Sequence, residues 1–335
     1  MSNELLDRAR AGDSTAFAEL VDPHRTELQV HCYRMLGSLQ DAEDALQETL
    51  LAAWVGIAGF EGRSSLRTWL YRIATHRCLN ALRSASRRPV AAAPEAPAAE
   101  PSGVGEVFWL QPYPDLMLDG LPDGAPGPEA VYETNEAISL AFVTALQLLP
   151  PNSRAVLLLR DVLGYSAKES AELLELSEDA VTSALKRARA AVRARGSLGE
   201  ASSLPPSSAD EREVLDRFVA AFTSGDIDAL VALFTDDIWV RMPPLPFEYH
   251  GRDAARRFLT AVSSHRTALA YMVPVRANRQ PAWGEYVRDP ATGGLHLVGV
   301  LVAVVAGDRI RELTHFETTV AASFGLPRTL NPGLA

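Results

Sequence analysis

DAEDALQETLLAAW, residues 41–54, places Ala42, Ala45, Leu46, Thr49, Leu50 and Trp54 at the alternating three-and-four spacing of one buried helix face. Asp41, Glu43, Asp44 and Glu48 are left to its outer side. Upstream, Leu5, Leu6 and Ala9, then Phe17, Leu20 and Val21, recur at helical spacing, and Asp13 is placed to cap the second part of that run. Leu28, Val30, Met35 and Leu36 form a further helix stopped by Gly37. Downstream, Leu66, Trp69, Leu70, Ile73, Ala74 and Leu82 make an apolar stripe, with Arg67, Arg72, Arg77 and Arg83 largely on the other side. Residues 1–88 therefore read as an all-helical unit with an acidic and a basic face, the pattern of a domain with two different partners.

The whole chain has 335 residues and a net charge of −10, which at first opposes a nucleic-acid partner. The average hides an uneven distribution. Residues 89–136 carry nine acids and no Lys or Arg, whereas residues 62–94 carry seven arginines and no acid. The Pro-, Ala- and Gly-rich run 89–132 cannot pack as a core and reads as an acidic linker. As a coil it spans about 40 Å r.m.s.. Within it, Val107-Phe108-Trp109-Leu110 and Pro112-Tyr113-Pro114-Asp115 are too apolar for a plain spacer and are expected to dock on something. A Gly/Ser/Pro tether covers 196–209, which leaves units at 133–195 and 210–330.

No apolar run reaches the roughly 20 residues of a membrane span, and the N-terminus lacks a signal-peptide pattern, so a cytoplasmic protein without a membrane partner is expected. Cys32 and Cys78 have no metal-ligand spacing and read as buried reduced thiols; neither metal nor cofactor is expected.

Residues 133–195 have helix-turn-helix punctuation. Pro150-Pro151 break the chain, a helix over Ala155–Leu163 ends at Gly164, and Ser166 with Glu169 forms a capping box. After Glu175-Leu176, Ser177 caps a last helix bearing Lys186, Arg187, Arg189, Arg193 and Arg195. In such a motif the second helix enters the DNA major groove.

These two helical units, joined by an acidic linker, resemble regions two and four of extracytoplasmic-function (sigma-70 family, group four) RNA polymerase sigma factors, over residues 1–195. The resemblance implies that Asp41, Asp44, Gln47, Glu48 and Trp54 dock on the β′ clamp of core polymerase. It implies that the segment 60–83 reads and opens the promoter −10 element, with Phe60, Gly62, Arg63 and Ser64 around a flipped base and Arg67, Arg72, His76 and Arg77 along the strand. His76 and Asn80 stand where the family usually has Asn and Asp. The −35 element falls to Glu178, Thr182, Ser183, Lys186, Arg187 and Arg189, in a unit that also meets the β flap. Val181-Thr182-Ser183-Ala184 replaces a common Val-Lys-Ser-Arg, so two cations are absent. The family's linker threads through the polymerase cleft towards the RNA exit, which an acidic strand imitating nucleic acid suits.

Residues 210–330 alternate helices and strands: helices at Glu213–Thr223 and Gly251–Val262, strands near 268–276, 282–288, 295–305 and 308–318. This order resembles the SnoaL-like branch of the nuclear-transport-factor-2 (NTF2) fold, an α+β domain with a cone-shaped cavity. Trp239, Met242, Tyr249, His250, Tyr271, Trp283, Tyr286, His315 and Glu317 are the candidate lining, for a small ligand or for nothing but packing. His315 and Glu317, two apart on a strand, share a face, and pairing of His315 with Glu317 or His250 is the catalytic alternative; no catalytic residue is assigned. The expected architecture is multidomain, two all-α units followed by an α+β domain. The function is promoter-directed transcription initiation by core polymerase, with the last domain acting in cis. The rivals are a helix-turn-helix regulator acting without polymerase and a SnoaL-type enzyme carrying DNA-binding helices.

Overall fold

The computed structural model describes residues 2–85, 97, 99–104, 110–119, 132, 136–194, 208–265 and 269–330. They fall into two compact units, one within 1–90 and 117–198, the other within 91–116 and 199–335. Three units were expected from the sequence. The two helical segments instead share one unit, and a stretch of the linker belongs with the C-terminal domain. Residues 107–109, also expected to dock, lie outside the described residues.

In the first unit, α1 (Ser2–Arg10) and α2 (Ser14–Val21) precede α3 (Arg25–Leu36), α4 (Leu39–Gly56) and α5 (Leu66–Ala85). Asp13 caps α2 by accepting from the Thr15 and Ala16 amides, as its position predicts. Gly37 ends α3 in left-handed conformation, φ 73°, which favours glycine, and a Cβ there would also displace the Gln147 side chain, which it would meet at 2.7 Å. The second helical segment comprises α6 (Leu140–Gln147), α7 (Pro151–Leu157), α8 (Ala167–Leu174) and α9 (Glu178–Ala194). The capping box of Ser166 and Glu169 is formed. α7 starts earlier than the sequence indicates and widens into π geometry over Leu158–Val162. The start is earlier because Pro151 occupies the first helical turn, where a missing N–H is harmless.

α3 joins the two segments. Arg34 Nε donates to Ala137 O at 2.8 Å, Gln147 Nε2 donates to Arg34 O at 3.3 Å, and Arg154 donates to Met35 O. The last two satisfy carbonyls at the C-terminal end of α3 that the helix itself leaves open. Both Cys32 and Cys78 are buried and unbridged.

The second unit has α10 (Ala209–Ser224), α11 (Ile227–Ala232) and α12 (Arg252–His265) against one sheet. Its strands are β1 (Gly103–Val104), β2 (Phe234–Arg241), β3 (Phe247–His250), β4 (Leu269–Ala277), β5 (Gln280–Arg288), β6 (Leu295–Ala306), β7 (Arg309–Phe316) and β8 (Thr329–Leu330). The order is β1-β3-β2-β7-β6-β5-β4, with β8 paired to β6. All the pairings are antiparallel except β2 with β7. One face carries the core: Val240, Trp283, Leu301, Ala303 and Leu313 pack with Phe218 of α10 and Phe258 of α12.

Candidate polymerase and nucleic-acid interfaces

On α4, Ser38 Oγ accepts from the Asp41 amide at 3.2 Å and so fixes the helix start. Burial of Leu39, Ala42, Ala45, Leu46, Thr49 and Ala53 leaves Asp41, Asp44, Gln47 and Glu48 in solvent. Trp54 does not join them: it is partly buried, edge-on to Phe17 with ring centroids 5.2 Å apart. In its place the outer stripe continues through Leu51 and Val55, 65% and 75% exposed. The reading of residues 41–54 missed these two, although adjacent Leu50 and Leu51 cannot both lie on one narrow face.

The cationic side of α5 is divided between internal and external partners. Arg67 Nη2 lies 2.7 Å from the Glu27 carboxylate and its guanidinium sits over the Tyr71 ring. Burial raises the Glu27 carboxyl, but hydrogen bonds from His24 and Arg67 outweigh it and hold it below the usual range. Arg67 is thus part of the α3–α5 packing. Arg72 Nη2 pairs with Glu175 at 2.7 Å, and His76 Nε2 donates to Leu173 O at 3.0 Å. Arg72, His76 and Arg77 line a groove of about 500 Å³ whose other walls are Ala52, Gly56, Trp69, Ile73 and Asn80. Of the residues assigned to the flipped base, Gly62, Arg63 and Ser64 stand exposed on the loop before α5, with Gly62 at φ 72° and Arg63 paired to Glu61. Phe60 is buried beside Trp69, centroids 5.0 Å apart, and belongs to the core.

On α9, Glu178, Thr182, Ser183, Lys186 and Arg187 are exposed on one side. Arg189, two turns beyond Thr182 on the same side of the helix, is instead turned to the fully buried Asp161, which accepts two hydrogen bonds from it, 2.8 and 2.6 Å. That bidentate pair raises the Arg189 pKa, through the hydrogen bond first. Arg189 is therefore engaged inside the unit, unlike its neighbours Lys186 and Arg187.

The candidate pocket residues of the second unit do not converge. Trp239 and His250 stack with centroids 4.2 Å apart, on the face opposite to that of their core neighbours Val240 and Tyr249. Trp283 is in the core, Met242 packs at its edge, and Tyr271 is exposed. Tyr286 is buried and donates to Pro327 O at 2.8 Å. The alternative pairing of His315 with Glu317 or His250 is not formed: β7 ends at Phe316 and Glu317 turns out to solvent ahead of a 3-10 turn. His315 instead meets Glu285 of β5, Nε2 to Oε2 2.9 Å, without the alignment of a hydrogen bond. Its imidazole crosses β6 over Gly299, where a Cβ would come within 2.2 Å of Nε2. Residue spacing within one strand hid this partner, which lies two strands away.

Models of Sigma-70 region 2, Sigma-70 region 4 and the SnoaL-like domain match residues 20–88, 139–192 and 215–313. The ECF RNA polymerase sigma factor SigG of Mycobacterium tuberculosis is 43% identical over 334 residues, covering 96% of this chain and 86% of that protein. The chain belongs to the ECF RNA polymerase sigma factors. SigW of Bacillus subtilis is 30% identical over 198 residues, 58% of this chain and 95% of its own length. The crystal structure of M. tuberculosis SigJ, 20% identical, superposes with a TM-score of 0.62 over 90% of this chain and 97% of that one, a likeness of fold. In this sigma factor, then, an acidic residue from the helix-turn-helix sits on the cationic stripe of α5. Among the described residues no helix is long and apolar enough to cross a membrane.

Proposed function

We propose that the chain brings core polymerase to −10/−35 promoters by dividing its surface as follows. The outer stripe of α4, acidic at Asp41, Asp44 and Glu48, polar at Gln47 and apolar at Leu51 and Val55, docks on the β′ clamp. The loop 59–65 with Arg72, His76 and Arg77 takes the melted −10 strand. Thr182, Ser183, Lys186 and Arg187 of α9 meet −35 DNA, with the β flap as second partner of that segment. Its place of work is that of polymerase, the cytoplasm. The C-terminal domain modulates activity in cis and performs no turnover.

The observation that carries this reading is the α4 stripe, where two large aliphatic side chains stand in water beside carboxylates with no internal role. Reversing Asp41, Asp44 and Glu48 together to lysine is expected to weaken co-purification with core polymerase at least tenfold while leaving the helical unit folded by circular dichroism. Retained assembly would refute the docking assignment. Strong duplex binding by the chain alone would favour the polymerase-free regulator.

The −10 and −35 readers cannot stay in contact on a promoter. Elements centred 25 base pairs apart are separated by about 85 Å at roughly 3.4 Å per pair. Glu175 on Arg72 and Leu173 O on His76 therefore describe a closed form. Glu175→Asn removes the carboxylate and suits the left-handed backbone there, φ 58°. The free variant is expected to bind a −10 non-template oligonucleotide several-fold more tightly in a fluorescence titration at low salt, with the gain lost in high salt.

A further inference from the structure

The loop between α4 and α5 is held at its two ends and nowhere between. Residues 61–65 are all exposed, and among the described residues the amides of Glu61 to Ser64 donate to no protein group. Their position is therefore set by the geometry of the two roots. At the C-terminal root, Ser65 Oγ accepts from the Thr68 amide at 3.0 Å and Ser65 O from the Trp69 amide, also at 3.0 Å. At the N-terminal root, Phe60 N donates to Ile57 O at 3.1 Å and the Phe60 ring lies against Trp69. All these contacts come from the adjoining helices. The Phe60 carbonyl has a different partner: it accepts from Arg10 Nη2, which reaches it from the end of α1.

Arg10 stands on a rigid corner. Asp13 N donates to Arg8 O and Gly12 N to Ala9 O, both at 3.0 Å, with Gly12 at φ 94°, so α1 ends in a Schellman motif. Asp13 closes the corner a second way, its carboxylate pairing with Arg8 at 2.6 Å while it caps α2. The guanidinium of Arg10 is steered in turn by Asp7, one helical turn back, Nη1 to Oδ1 3.3 Å. A charged donor is thus aimed from a fixed mount at one backbone oxygen.

That oxygen controls where the loop starts, because the peptide group is planar and trans. Its C=O and the next N–H point in opposite directions, so holding Phe60 O towards α1 turns the Glu61 N–H away from it. The Phe60 ring and amide are fixed by Trp69 and Ile57, which leaves this peptide plane as the one part of the root free to turn when Arg10 is absent. Rotation there displaces Gly62, Arg63 and Ser64 together. A binding constellation tolerates only about 0.5 Å of such displacement.

We infer that Arg10 is a positioning residue for promoter opening: through the Phe60 carbonyl it sets the mouth of loop 61–65 for the flipped base, without touching DNA. The inference rests on the assignment of that loop to the melted −10 strand made above.

The test uses holoenzyme assembled from core polymerase and the full-length chain. It is titrated with fluorescent single strands carrying the non-template −10 sequence of a target promoter, and with strands in which each base is replaced in turn. Arg10→Met keeps the stem and the helix propensity but removes the donor. It is expected to bind the matched strand about tenfold more weakly, and the strand replaced at the flipped position nearly as well as the parent does, so that discrimination there collapses. The slope of log affinity against log salt should stay that of the parent, because no phosphate contact is lost. Arg10→Lys, which restores a cationic donor, should recover most of the discrimination. Undiminished discrimination in Arg10→Met would overturn the inference. So would a shallower salt slope, which would make Arg10 a direct phosphate contact, or an equal loss on every strand, which would make its role one of general stability. A parent holoenzyme that bound all strands alike would instead sink the assignment of the loop to the −10 base, and this inference with it.

Discussion

Arg189→Ala is expected to destabilise the helix-turn-helix by about 2–3 kcal/mol, below the range of about 3–5 kcal/mol for a fully buried ion pair because the Arg189 side chain is 37% exposed and water can enter in its place. The size follows from Asp161, whose side chain is fully inaccessible and whose two oxygens each accept one bond from Arg189. Truncation strands that carboxylate in the interior, between α9 and the π-turn that precedes α8. Arg189→Lys restores a charge but not the forked geometry, so it should recover only part of the loss. The double variant Arg189→Ala with Asp161→Asn should recover part as well, because a neutral amide is cheaper to bury than a charge. Urea unfolding followed by amide exchange in α9 measures all three. A variant that kept its stability but lost −35 binding would return Arg189 to the DNA-contacting set, where its neighbours Lys186 and Arg187 remain exposed.

The case of Arg189 marks what could be read from the chain and what could not. Helix phase and caps were legible because they depend on residues three or four apart, as at Asp13, Gly37 and the Ser166/Glu169 box. The acidic stripe of α4 was legible for the same reason. Which cation is free and which is committed depends on partners far along the chain: Arg67 on Glu27, Arg72 on Glu175, Arg189 on Asp161. No local pattern distinguishes them. The sheet shows the same division. Its antiparallel run from β4 to β7 follows from alternation and turns, but the parallel pairing of β2 with β7 and the addition of β1 from the linker are long-range choices. The His315–Glu285 contact belongs with them, since register across β6 and the bare surface of Gly299 create it.

Lowering the pH from 6.5 towards 3 is expected to remove on the order of 5 kcal/mol of stability from the α3–α5 packing, through His31. The ring is buried, and this burial, reinforced by the nearby Arg34 and Arg67 cations, pushes its pKa down to about 3. Its Nε2 lies 2.9 Å from Thr75 Oγ1, whose own proton goes to Tyr71 O; Nε2 therefore carries the hydrogen, and the imidazole is neutral. In the unfolded chain the same group titrates near 6.5. Between those two values the unfolded state binds the extra proton, so stability falls as pH falls, by roughly 1.4 kcal/mol per unit, and above 6.5 the group contributes no slope. Glu27 acts in the same direction at lower pH, since its depressed carboxyl must be protonated as acid denaturation proceeds. His31→Gln keeps a donor for Thr75 without a titrating ring. Amide exchange in α3 and α5 at pH 7, 6 and 5 should show protection falling in the parent and nearly constant in the variant. Equal slopes in both would mean that His31 is charged in the folded protein, which would require a partner beyond Thr75 and the facing Glu27, Arg34, Arg67 and Tyr71.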